Sequence, residues 1–194
     1  VVHMSLRFLF HISYSRGTAP CETLSQSRGP TAMKIKALLI SLLILSTSVL
    51  FIPQSQAAGK GWRYWGYFQA APGATKWTAA MTGPTVDIAD GAVEGWSFVF
   101  GADDIPSLAP AVKPSFAKIC AGVKGDKDTK RIGLVIEFGS KVWAPKGENP
   151  RKTITTCVRT AKTSQGIDVL GQVTKIRAES SGLICGLGGY PAKE

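Results

Sequence analysis

The hydrophobic pattern of this chain changes character near residue 58. Before it, the strongest feature is the run from Ala37 to Ile52, apolar except at Ser41 and Ser46-Thr47-Ser48. Lys34 and Lys36 precede the run, Pro53 stops it, and Ser55-Gln56-Ala57 follows with small residues. A basic start, an apolar middle and a small-residue exit are the parts of a secretory signal. Sixteen residues at about 1.5 Å rise span roughly 24 Å, short of a ~30 Å hydrocarbon core. The expectation is therefore a signal peptide over 33–57, cleaved after Ala57, and a secreted, extracytoplasmic product. Residues 1–32 show no period beyond Leu6 to Ile12 and read as an overextended, non-native start. The rival is a basic cytoplasmic tail with the apolar run kept as an anchor. Left uncleaved, that run is the one membrane contact expected.

After residue 58 the pattern shortens to strand-length pieces. Trp62-Arg63-Tyr64-Trp65-Gly66-Tyr67-Phe68-Gln69 carries five aromatics in eight residues. Alternation puts Trp62, Tyr64 and Phe68 on one face of a strand and Trp65 and Tyr67 on the other. Such a strand is either covered on both sides or exposes rings for contact. Pro72-Gly73 marks a turn, and Lys76 to Met81 reads as a return strand of a hairpin. Past Asp90-Gly91, Ala92 to Phe100 alternates, with Trp96, Phe98 and Phe100 facing a core and Val93, Gly95, Ser97 and Val99 behind. These pieces predict an antiparallel meander.

The stretch from Asp103 to Pro114 holds three prolines and reads as loop. Ser115 is placed to cap a short helix over Phe116–Ala121, ended by Gly122, with Phe116, Ile119 and Cys120 inward. Arg131 to Gly139 is nearly continuous in apolar residues and predicts a central strand. Lys141 to Thr153 is loop, and Thr156 to Thr160 is a strand or an extended link. Ser164 is placed to cap a helix bearing Ile167, Leu170 and Val173. Ile176 ends that helix's contacts or begins a short strand, and Leu183 to Leu187 is a last buried strand. The expected fold class is α+β: antiparallel hairpins and meander with two short helices, in one small domain over 58–194.

Charge and composition narrow the chemistry. Residues 58–194 carry 18 basic and 12 acidic side chains, a net +6 against +10 for the whole chain. The lysines are scattered among acids, which reads as a solvated surface and not a nucleic-acid stripe. Both histidines, His3 and His11, precede residue 58. Without histidine the exported part has no Ser-His-Asp or Cys-His catalysis and no usual zinc site. Cys120, Cys157 and Cys185 allow one bridge in three ways with one thiol left over, or three small core residues. A Cys120–Cys157 bridge would contribute about 3–4 kcal/mol.

Candidate chemistry is sparse. The aromatic strand, with Trp62, Arg63, Tyr64, Trp65, Tyr67 and Gln69, and Trp77 on the return, is a candidate ligand platform, set against an ordinary core strand. Asp87, Asp90, Glu94, Asp103 and Asp104 match no calcium loop, and a glycosidase pair among them needs two carboxyls in a cleft. Gly186-Leu187-Gly188-Gly189 lacks the lysine and following helix of a phosphate loop. No catalytic residue, cofactor or metal is assigned.

Several stretches together resemble an uncharacterised family of secreted actinobacterial proteins. They are Trp62-Arg63-Tyr64-Trp65, Lys76-Trp77, Ala89 to Phe98, Phe116 to Cys120, Arg131 to Gly139, Leu183-Ile184-Cys185 and Gly189-Tyr190-Pro191-Ala192. The resemblance spans essentially all of residues 58–194. It implies an extracytoplasmic accessory or binding role, with genes often lying near energy-coupling-factor transporters for vitamins and metals. Members often carry another cysteine after the Gly-Tyr-Pro segment. Its absence here implies that Cys185 lacks its partner and favours the Cys120–Cys157 pair. The expected function is a non-catalytic exported binding or accessory module of the cell envelope with an aromatic contact surface, partnered by a membrane or envelope protein such as a transporter component. The alternatives are a carboxylate-based extracellular hydrolase and a structural envelope protein.

Overall fold

The computed structural model of the protein describes residues 61–102 and 105–193. The expected signal segment, its cut after Ala57, residues 1–32 and the acids Asp103 and Asp104 lie outside the described residues.

A five-stranded sheet organises the domain. Its strands are β1 (Gly61–Ala70), β2 (Thr78–Ala79), β3 (Val93–Ala102), β4 (Thr129–Glu137) and β5 (Ile154–Ala161), in the order β2-β1-β3-β4-β5. The meander expectation needs correction at two places. The return strand is reduced to two residues outside β1, while β3 comes back along the other flank of β1 over ten paired positions. β3 and β4 then pair parallel, Val93 beside Gly133 through Ser97 beside Glu137. A parallel neighbour requires a crossover of a dozen or more residues, and the proline-rich stretch after β3 supplies it. β3 and β4 are also the two strands buried on both faces, so they take the interior positions.

The crossover lies on one face and carries α1 (Phe116–Ile119). Phe116, Ile119, Val112 and Trp77 pack there on Ala70, Val93 and Val135. The end of α1 is bonded to the sheet by the Cys120–Cys157 disulfide, whose partners stand 37 residues apart. Cys185 is not a free thiol either, so the expected leftover thiol is corrected.

The opposite face holds the main core. Alternation aims Trp65, Trp96, Phe98, Ile132, Leu134, Ile136 and Val158 the same way. They meet α2 (Gly166–Val173) and a second, two-stranded sheet of β6 (Ile176–Ala178) and β7 (Ile184–Leu187). The α2 start also differs from expectation. Gln165 occupies the N-cap, and the Asp168 carboxylate accepts its backbone N–H at 2.8 Å in a capping box. Ser164, expected as the cap, instead hydrogen-bonds the Thr160 hydroxyl at 2.6 Å. The molecule is thus α+β, mainly β, one small domain.

Candidate functional site

The seven residues of the expected aromatic platform do not share a surface. Trp65 is 5% exposed and packs edge-on to Phe138 with ring centroids 5.4 Å apart. Trp77 is half-buried on the other face, where its indole N–H donates to Val112 C=O at 2.9 Å. Tyr64 points at Gly101, on the same face as Trp62. Trp62 is 44% exposed, and Arg63 donates to Trp143 C=O at 3.4 Å. The run of rings is therefore covered on both sides along most of its length.

Tyr67 and Gln69 belong to a different construction. The antiparallel register of β1 and β3 sets Tyr67 beside Trp96 and Gln69 beside Glu94. The Tyr67 ring stacks on Trp96, centroids 4.5 Å apart. Its hydroxyl donates to Glu94 Oε2. Gln69 Nε2 donates to the Tyr67 oxygen at 2.8 Å and lies 3.4 Å from Glu94 Oε1. Gly166, the first residue of α2, closes the back, since a Cβ there would stand 2.8 Å from the Tyr67 hydroxyl and 2.9 Å from Pro84 O. The Ile167 N–H donates to Pro84 C=O at 2.8 Å, which ties α2 to the 84–91 segment over the site. Lys130, also buried, donates from Nζ to Ile88 C=O at 2.6 Å and holds the same segment from β4.

Glu94 is 1% exposed and makes no ion pair among the described residues. Burial pushes its carboxyl up to about 7, although the Tyr67 and Gln69 bonds pull the other way. Burial, and then the Glu94 charge, raise Tyr67 well above the ordinary phenol range, so its hydroxyl stays a donor. In front of this group opens a cleft of about 200 Å³. Its polar lining is Gln69, Asp87 and Glu94, and its walls are Pro72, Ile88 and four alanines.

Asp90 goes elsewhere. Asp90 accepts the Arg131 N–H at 2.6 Å and pairs with its guanidinium at 3.3 Å. Among the described residues no group of three or more metal-ligating side chains gathers. By sequence density Glu94 stands only as one of five acids. A sharper signal was present: it falls in phase with Trp96 and Phe98, on the core face of its strand. Lys130 likewise falls in phase with Ile132 and Leu134.

The family comparison spans this whole arrangement, matching residues 57–194 to the SCO2322-like domain. The chain belongs to that family. The SCO2322-like match takes in β1 to β7 and every residue of the cleft. No curated protein and no solved structure matches the chain.

Among the described residues of this SCO2322-like domain, no helix is long and apolar enough to cross a membrane.

Proposed function

We propose that this SCO2322-like domain is a non-catalytic exported module of the cell envelope that binds a small molecule in the Gln69–Glu94 cleft. One observation carries the reading: a buried carboxylate without an ion pair among the described residues lines a concave site. Buried charge is costly unless paired, and a strongly shifted group in a cleft marks a functional site. Export is supported by the signal pattern over 33–57 and by the disulfide, which belongs to an oxidising compartment. A membrane or envelope partner, such as a vitamin or metal importer, fits the end of the sheet where Trp62 and Ile105 are exposed.

The test is mass analysis of small molecules retained by the purified protein after incubation with an envelope extract. A retained molecule lost in Glu94→Gln supports the reading. Equal profiles for both proteins overturn it.

A second reading, a carboxylate hydrolase, draws on the presence of Asp87 and Glu94 in one cleft. A carboxyl raised to about 7 is suited to donate a proton near neutral pH. It requires turnover of chromogenic esters or glycosides that disappears in both Glu94→Gln and Asp87→Asn. Binding without turnover rejects it.

A further inference from the structure

We infer that the cleft takes a small organic ammonium ion on a short alkyl stem, with Glu94 and Asp87 as its counter-charges. The inference rests on the cleft-binding reading above and adds the chemical class of the ligand.

Three observations converge. The first is the charge left over at the site. Glu94 is buried, its Oε2 is taken by the Tyr67 hydroxyl, and its Oε1 meets only the long 3.4 Å contact from Gln69. Lys130, the buried cation on the same sheet face, is bonded to Ile88 C=O and forms no ion pair with Glu94, although its charge draws the Glu94 carboxyl down. Asp87 is exposed at the rim with no side-chain partner among the described residues. No Lys or Arg lines the cleft. A cation supplies the partner that the buried carboxylate lacks, and an anion would meet two carboxylates.

The second observation is shape. Alanine, proline and isoleucine make the walls mostly apolar, which suits an alkyl stem better than a hydroxyl-rich ligand. The third is size: a cleft of about 200 Å³ has room for a short amine. Gln69 is the movable member, because its weak contact to Oε1 is the one an ammonium would replace.

The experiment is a titration of the ¹⁵N-labelled purified protein with n-propylammonium, followed by amide resonances. n-Propanol and propionate are the neutral and anionic controls of matched length. The expected result is a saturable shift of the Gln69 side-chain amide and the Ala70, Ala71 and Ala89 amides. Propylammonium should bind at least tenfold tighter than either control. Glu94→Gln should weaken it tenfold or more, and Asp87→Asn about threefold. Asp87→Asn, at an exposed position, keeps the test open if the Glu94 variant does not fold. Propanol or propionate saturating the same amides as tightly would overturn the ammonium assignment while leaving a binding cleft. No saturable shift with any of the three also overturns it, and the envelope-extract assay then decides the cleft reading separately.

Discussion

Glu94 is an acid placed where the strand pattern calls for an apolar residue, and the stability of the domain should record it. Its carboxyl is raised from the ordinary 4.5 to about 7 in the fold, first by burial. A group raised in the fold contributes stability that is fully present below its unfolded value and lost as pH rises through its folded value. Between about pH 4.5 and pH 8 the native protein should therefore lose about 3 kcal/mol through this residue. The groups facing it are Tyr67 and Gln69 from β1 and Lys130 from β4. Asp90, held low by the Arg131 N–H, and Asp126, held low by Thr129, act only below about pH 4 and with opposite sign. Urea unfolding of native protein and Glu94→Gln at pH 5 and pH 8.5 isolates the effect. The variant should be the more stable at pH 8.5, and equal slopes for both proteins would refute the assignment.

At the scale of one element, α2 carries two glycines that should respond in opposite directions to the same change. Alanine is the better helix former by about 0.5–1 kcal/mol. At Gly171 the nearest atom to a new Cβ is Ile176 Cδ1 at 3.8 Å, an ordinary contact. Gly171→Ala should stabilise by about 0.5 kcal/mol. At Gly166 the new Cβ would lie 2.9 Å from a backbone oxygen, Pro84 O, and 2.8 Å from the Tyr67 hydroxyl. The segment that owns Pro84 O is tied down by α2 itself, so it cannot give way cheaply. Gly166→Ala should destabilise by about 1–3 kcal/mol and displace Tyr67 from Glu94. Thermal denaturation of the two variants against native protein settles the signs.

The elements themselves were largely legible. Periods of two in Ala92 to Phe100, an unbroken apolar run in Arg131 to Gly139, and threefold spacing in Ile167, Leu170 and Val173 are local signals, and the corresponding elements formed. The pairing was not legible, because a strand's neighbour is chosen by burial of the whole sheet and no residue near Val93 names Gly133 as its partner. The seven platform residues stand out in sequence by aromatic density, which does not say which face of the strand stays open. Alternation alone separates Gln69 and Tyr67 from Trp62 and Tyr64, and phase alone assigns Glu94 to the core.

Across the whole molecule the central sheet separates two unequal layers, and the Cys120–Cys157 disulfide belongs to only one of them. On the crossover side a small cluster around Val93 and Val135 is reinforced by Cys120–Cys157. On the other side lies the larger core around Leu134, Phe98 and Leu170, and there Cys185 of β7 is itself not a free thiol. A bridge closing a 37-residue separation restricts the unfolded chain by about 3–4 kcal/mol. Replacing Cys120 and Cys157 together by alanine should lower stability by about that amount. The loss should also be uneven in space. Hydrogen exchange should quicken in residues 105–128 and in β5, which lose their link, while amides of α2 and β7 exchange as before below the global limit. The interior strands β3 and β4 should remain the slowest to exchange in both proteins, since their side chains are buried on both faces. If α2 and β7 quicken as much as the crossover, the two layers unfold as one unit. The cleft, which is held from β1, β3 and α2, would then depend on the disulfide, contrary to the division drawn here.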